Sequence, residues 1–306
     1  MLKYTVKRLL QLVVMLLVLT IVVFYIVRII PGDPASAMLG ASATHAQIEA
    51  ERERLGLNEP LLVQYEKFMS ELFKGDLGTS IKTRKPVAYE LARRFPNTIK
   101  LAIGATVVAS FFGILLGIVS AVRHNKFSDN AIMVTSLVSV SMPSFFFALL
   151  LLLLFSVKLK WLPSIGLDSW KHYVMPIITL SLPTIGYIAR TARSAMLDVI
   201  NQDYIRTSRA RGIPNRVIIF SHAFKNAMIP VLTAIGMYFG GLLAGATITE
   251  TVFSINGIGR FLVTSVQQRD YPAIQGSILV MATIFAVVNT AVDLMYGLVD
   301  PRIKYD

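Results

Sequence analysis

LDVINQDYIRTSRARGIPNRVIIFSHAFKNAMIP, residues Leu197 to Pro230, is a polar, basic insert between two apolar blocks. It holds Arg206, Arg209, Arg211, Arg216 and Lys225, with Arg193 just before it, against only Asp198 and Asp203. An inter-span loop with that excess of Lys and Arg belongs on the cytoplasmic side of a membrane. It also reads as folded. Gln202 to Arg211 contains no Gly or Pro and stops at Gly212, a residue suited to the position after a helix end. Asn215, after Pro214, is placed to cap a second helix, in which Val217, Phe220 and Phe224 fall on one face. Two short helices joined by Gly212-Ile213-Pro214 make a compact knob under the membrane, and a knob of that kind is a docking surface.

Composition agrees with a membrane location. The 306 residues are 54% hydrophobic, and several uncharged runs are long enough to cross a bilayer. The net charge of +12 would suit nucleic acid if it were spread or clustered on a soluble face. It is not. Residues 31–97 carry nine Lys/Arg and nine Asp/Glu, and the surplus sits in short loops on one side. No nucleic-acid partner is expected. With no cysteine there is neither a disulfide framework nor a thiolate metal site. The first apolar run is too long for a cleavable signal and ends in Pro31-Gly32-Asp33-Pro34 instead of a small-residue cleavage site.

Six spans follow from the uncharged runs: Leu9 to Val27, Leu101 to Val122, Ala131 to Val157, Val174 to Ala189, Ala227 to Thr249 and Ala273 to Val292. Pro143 interrupts the third and is expected to kink it. The fourth is short, so it is expected to continue through Arg190 and Arg193, which snorkel to the surface. Gly104, Gly113 and Gly117 in the second, and Gly236, Gly240, Gly241 and Gly245 in the fifth, favour close helix contact or bending. Between the first two spans, Thr44 and Gln47 have capping-box spacing, opening a helix that stops at Gly56. Leu61, Tyr65, Phe68, Met69 and Leu72 then stripe a second helix, expected to bury against the outer membrane face or neighbouring spans. Trp161, Trp170 and Tyr173 read as interface anchors. Short inner segments hold Lys3, Lys7, Arg8, Arg123, Lys126, the loop cations, Arg302 and Lys304; short outer loops hold only Lys158, Lys160, Lys171, Arg260 and Arg269. Both termini are therefore expected inside.

The fold class expected is all-α: a polytopic membrane protein of six transmembrane helices with a helical extracytoplasmic segment after the first. The expected divisions are 1–30, the N-terminus and first span; 31–97, the outer segment; 98–297, the core with its inner loop 198–226; and 298–306, a cytoplasmic tail.

Chemistry is sparse. No Gly-x-x-x-x-Gly-Lys-Ser/Thr loop is present to hold ATP, and no Gly-x-Ser-x-Gly elbow. His45, His124, His172 and His222 lie in separate loops without the spacing of metal ligands. No catalytic residue or cofactor is expected on this chain. Glu250 and Asp293 stand at span ends, where water or headgroups can solvate them. The spans are otherwise nearly free of carboxylates, which argues against a proton- or sodium-driven carrier; the competing reading is an ATP-independent secondary transporter or channel. Asn289 is the one amide deep in the sixth span, where helix-to-helix hydrogen bonding is its simplest use.

Asp203-Tyr204-Ile205-Arg206-Thr207-Ser208-Arg209-Ala210-Arg211-Gly212 resembles the cytoplasmic loop of permeases of binding-protein-dependent ABC importers, most closely the dipeptide/oligopeptide/nickel/glutathione group. The wider family reads Glu-Ala-Ala, three residues, then Gly; here Gly212 matches, but Arg206, Thr207 and Ser208 lead, and the usual Pro is displaced to Pro230. The resemblance extends through Pro34, Leu55-Gly56-Leu57, Gly75-Asp76-Leu77-Gly78-Thr79-Ser80, Gly257-Ile258-Gly259-Arg260, Gln268-Arg269-Asp270-Tyr271-Pro272 and Asp300-Pro301-Arg302. It implies a type I importer permease fold in a bacterial inner membrane, carrying short peptides or glutathione-like ligands. It further implies a second permease, two ATPase subunits holding ATP and Mg²⁺, and an extracytoplasmic binding protein. On that resemblance Asp203, Tyr204, Arg206, Thr207, Ser208, Ala210, Arg211 and Gly212 form the ATPase-coupling loop. Arg260, Arg269 and Asp270 are candidate contacts to the binding protein, the alternative being a cap packed on the spans. No polar constellation in the spans identifies a substrate site.

Overall fold

The computed structural model describes residues 2–29, 33–40, 43–167, 169–244 and 246–299. Pro31, Gly32, Gly245 and the Asp300-Pro301-Arg302 block, with the rest of the tail from 300, lie outside the described residues. The chain is helical: α1 Leu2–Ile29, α2 Pro34–Leu39, α3 His45–Arg54, α4 Leu61–Phe73, α5 Val87–Val122, α6 Phe127–Ser141, α7 Ser144–Leu151 continued as a π-helix over Leu152–Lys158, α8 Lys171–Ile200, α9 Asp203–Ala210, α10 Asn215–Val217 continued as a π-helix over Ile218–Ala223, α11 Phe224–Leu243, α12 Thr247–Val252, α13 Ile258–Gln267 and α14 Tyr271–Val299. Among the described residues, five helices are long and apolar enough to cross a membrane: Tyr4–Ile29, Val87–Val122, Lys171–Ile200, Asn215–Leu243 and Tyr271–Met295.

A sixth crossing is available only if α6 and α7 are taken together, and these are bent by 99°. The third span is thus broken, not merely kinked. Met142 is extended, and Pro143 stands just before α7, where its missing N–H costs nothing.

Two other boundaries differ from expectation. Helix α5 begins at Val87 and runs 36 residues, about 54 Å, so the division at 97 falls inside a continuous helix. Pro96 and the charges Glu90, Arg93 and Arg94 hide this in the sequence; Glu90 and Arg94 pair with each other one turn apart. The fifth span ends at Leu243, and Thr247–Val252 forms a separate short helix.

Helix α8 is the axle. It packs along α5, where a Cβ on Gly113 would lie 2.7 Å from Ile188 Cβ, and one on Gly117 would lie 2.5 Å from Ala192 Cβ. Ala109, Ile188, Ala192 and Val231 close the triangle with α11. α11 in turn meets α14, where Gly236 sits against Val292. Helix α1 lies outermost on α14, held at one end by an ion pair of 2.8 Å between Arg8 and Asp293.

Between α1 and α5 the capping box forms as expected, with Thr44 and Gln47 exchanging bonds at the start of α3. The α4 stripe packs on a span. Tyr65 Oη lies 2.8 Å from Thr20 Oγ1, and Phe68 meets Phe24, over which the Arg28 guanidinium stacks at 3.3 Å. Arg193 is not free at a surface; it is paired with Asp129 of α6.

The α5–α8 contact makes a direct prediction. Gly117→Val overpacks a backbone-to-backbone approach and is expected to cost roughly 1–3 kcal/mol. Gly241→Ala, where no atom lies within 4 Å, is expected to be neutral or slightly stabilising. Denaturant unfolding of the two variants in one detergent measures the difference.

Candidate functional site

The loop between α8 and α11 folds as a knob around one aliphatic residue. In α9, Asp203-Tyr204-Ile205-Arg206-Thr207-Ser208-Arg209-Ala210, Ile205 is the only large aliphatic side chain, and it is fully buried. It drops between Ile118 and Ala121 of α5, Ala195 and Met196 of α8, and Ile218, Ala223 and Ala227 of the next arm. The helix is stopped by chemistry legible in the sequence. Gly212 takes φ 75°, its N–H donates to the Arg209 carbonyl at 3.0 Å, and the Ile213 N–H donates to the Ser208 carbonyl at 3.3 Å. Those two bonds are the Schellman pattern, which satisfies the last carbonyls of the helix. Ile213 then turns back onto the same apolar cluster.

Everything else on α9 points out. Asp203, Tyr204, Arg206, Thr207, Arg209, Ala210, Arg211 and Gly212 are exposed, and Ser208 is half-buried. Asp203 stands in the first turn, where its charge suits the helix N-terminus, and Arg209 in the last. Tyr204 Oη accepts a bond from Asn226 Nδ2 at 2.9 Å, tying α9 to the start of α11. The structure therefore gathers all eight residues of the expected coupling loop on one short exposed helix and its end.

The second arm departs from expectation. Pro214 occupies the cap position and Asn215 is already helical, with no side-chain cap bond. The buried positions are Ile218, Ala223 and Ala227, while Val217 and Phe220 are 42% and 57% exposed. The π-helical turn from Ile218 to Ala223 is the reason: its longer turn rotates the face away from the α-helical 3.6 spacing.

At the opposite end of the spans, α12, α13 and the start of α14 form a cap held by two buried carboxylates. Glu250 is fully buried. It accepts from Thr98 Oγ1 of α5 at 2.6 Å and from the Arg260 N–H at 3.0 Å. Thr98 Oγ1 in turn accepts the Ile258 N–H at 3.1 Å. Burial pushes the Glu250 carboxyl above its ordinary range, against the pull of the Thr98 hydroxyl and the Arg260 and Gly259 amides. The expectation that Glu250 is solvated at a span end is thus corrected.

Asp270 is corrected likewise. It is 2% exposed and accepts from Ser80 Oγ at 2.5 Å, Ile81 N–H at 3.1 Å, Lys82 N–H at 3.3 Å and Ala273 N–H at 3.3 Å. It caps α14 and staples it to the Thr79-Ser80-Ile81 loop, so it is not presented to a partner. Arg260 is half-buried and donates to the Ser254 carbonyl at 2.5 Å. Arg269 alone of the three is exposed, in a left-handed turn at φ 55°.

Sequence reading passed over Ile205, Glu250 and Asp270 as structural residues. For Ile205 the signal was present: one aliphatic among seven polar or small neighbours. For the two acids it was not, since each contacts residues more than a hundred positions away.

A many-span helical protein with a short exposed helix slung between two spans is the arrangement that the resemblance to ABC importer permeases implies. The comparisons agree at full length. The family model of the binding-protein-dependent transport system inner membrane component matches residues 113–305, and the N-terminal membrane-component model matches residues 1–102; the chain belongs to this family. Glutathione transport system permease protein GsiC of Escherichia coli (strain K12) is 42% identical over 305 residues, covering 100% of both chains. The GsiC of Salmonella typhimurium (strain LT2) matches equally, at 42% over 305 residues and 100% of each. A solved inward-facing structure of the MetNI methionine ABC transporter shares the fold, with a TM-score of 0.54 at 19% identity over 69% of this chain and 97% of that one.

Ile205 sets the stability of the seat. Truncating a buried Ile to Ala costs about 2–5 kcal/mol. At about 2 kcal/mol the knob would open roughly thirty-fold more often. Ile205→Ala is expected to speed tryptic cleavage at Arg206, Arg209 and Arg211 by at least about tenfold, and Ile205→Val by only about two- to fivefold.

Proposed function

We propose that this chain is the permease subunit of an ATP-driven importer for short peptides or glutathione-like ligands, delivered by an extracytoplasmic binding protein. The observation that carries the reading is α9: a short exposed helix held to the spans by one buried residue, following α8 and leading through α10 into α11. Full-length similarity to permeases named for glutathione supports the substrate class.

In this reading a second, homologous permease chain completes the path. Two ATPase subunits bind ATP and Mg²⁺, and residues 198–226 form the cytoplasmic coupling loop of a core spanning 98–297. Both termini, 1–30 with its first span and 298–306, start and end in the cytoplasm, and most of 31–97 is outside. Each α9 sits in a groove of one ATPase, whose closure on ATP pulls α9 and swings α8 and α11. The path then passes from inward-open to outward-open and takes ligand from the binding protein. Of Arg260 and Arg269, the exposed Arg269 is the cation offered to that protein; such a charge acts mostly on encounter and orientation.

Affinity purification from native membranes is expected to bring down an ATPase with a Walker A motif, and uptake to be competed by glutathione or short peptides; recovery of neither would point to a carrier. Gly212→Val puts a β-branched residue at φ 75° and is expected to break the end of α9. Substrate-stimulated ATPase activity and uptake should fall while membrane insertion persists.

Sidedness has its own test, made simple by the absence of native cysteine. An impermeant thiol reagent applied to intact cells is expected to label Asn58→Cys and not Asn215→Cys. The reverse pattern inverts the assigned topology.

A further inference from the structure

Where α5 turns into α6, one buried carboxylate joins three helices. Asp129, in the first turn of α6, is 0% exposed. Arg193 of α8 donates to it twice, from Nε to Oδ1 at 2.7 Å and from Nη2 to Oδ2 at 2.7 Å. Ser120 Oγ, near the end of α5, donates to Oδ1. The Asn125 N–H, in the connecting turn, donates to Oδ2 at 2.9 Å, and His124 Nδ1 lies 3.3 Å from Oδ2 and 2.9 Å from Arg193 Nη2.

The position matters as much as the bonds. Ile118 and Ala121, flanking Ser120 on α5, and Ala195 and Met196, just past Arg193 on α8, are the walls of the seat that receives Ile205. Clamp and seat therefore share the same turns of the same two helices. Packing between them is of small residues, Gly117 on Ala192. Apolar contact is non-directional, so it resists separation better than sliding or rotation. A two-point guanidinium–carboxylate fork fixes distance and orientation together.

We propose that Asp129 and Arg193 are positioning residues for transport: their fork, with Ser120, makes the α9 ends of α5, α6 and α8 one rigid body, so that a pull on α9 moves all three. The transport part rests on the reading of α9 as the ATPase-facing helix; the rigid-body part does not.

The test uses the whole complex in nanodiscs, with spin labels at the α9 ends of the two helices, on Phe127→Cys of α6 and Asp198→Cys of α8, both exposed positions. Asp129→Asn with Arg193→Gln removes the fork without leaving a lone buried charge. Arg193→Lys keeps the charge and loses the fork. The native pair is expected to give one narrow distance distribution, with or without Mg-ATP and vanadate, and the double variant a broadened one. A narrow distribution in the double variant, or a native distance that shifts on trapping, overturns the clamp. The second readout is uptake per ATP hydrolysed, with whichever of radiolabelled glutathione or dialanine the native complex takes up. It is expected to fall about fivefold or more in the double variant and less in Arg193→Lys, with ATPase activity within about twofold of native. Parallel loss of uptake and ATPase, or an unchanged ratio beside a broadened distribution, overturns the positioning role. A native complex without ATPase or uptake would sink the functional reading alone, since the distance measurement stands apart from it.

Discussion

The fold depends on how closely α5 and α8 approach. With glycines at 113 and 117, the backbone of α5 lies where side chains of other residues would be, against Ile188 and Ala192. Inside a bilayer, helix association gains little from the hydrophobic effect, because lipid is as apolar as a leucine surface. Close van der Waals contact over many residues has to supply it. That contact fixes α8 as the centre, and the rest is arranged on it. α6 lies on one side at Gly186, α11 on another at Ile188 and Val231, and α7 and α12 gather near its start through the cluster of Leu101, Met175 and Phe253.

Polar groups obey the same constraint. Among the described residues, besides Glu90, which pairs with Arg94 one turn away, three carboxylates, Asp129, Glu250 and Asp270, are almost fully buried, and none lies near the middle of a long span. Each stands at an end, beside a turn whose free N–H groups it accepts: Asn125 for Asp129, Arg260 for Glu250, Ile81 and Ala273 for Asp270. A buried carboxylate is acceptor-only, so a helix start or a tight turn is the partner that satisfies it best. Each also reaches a hydroxyl on a distant element, Ser120, Thr98 or Ser80. The acids therefore fasten the ends of the spans, one at the α9 end and two at the other, and leave the mid-membrane faces to small and apolar residues.

Much of this was readable in advance, for reasons that are local. α9 and its end at Gly212 followed from a helix stop signal, α3 from a capping box, and the spans from uncharged runs. What escaped was whatever depends on a distant partner or on backbone deviation. The start of α5 was hidden because Glu90, Arg93, Arg94 and Pro96 look like a loop until Glu90 and Arg94 are seen to pair. The break at Pro143 read as a kink because sequence gives the missing N–H and not the angle. Val217 and Phe220 were assigned to one helical face on a 3.6-residue period, and the π-turn moved that face. Asp270 looked like an exposed loop acid because Ser80 lies far away in sequence.

The seat of α9 shows how such a design divides its labour. Ile205 contributes adhesion without direction, and it alone of the α9 side chains is buried. Its neighbours on α9 other than Ser208 are exposed, and of these Tyr204 also bonds the following arm. A helix seated this way transmits a pull only as well as its socket stays whole. The socket is built from three separate stretches of chain, α5, α8 and the arm after Pro214. Tyr204 to Asn226 ties the arm to α9, and the Asp129 fork ties α5 to α8 through α6. Directional bonds thus surround a non-directional anchor, so the knob keeps its shape while its outer face stays available.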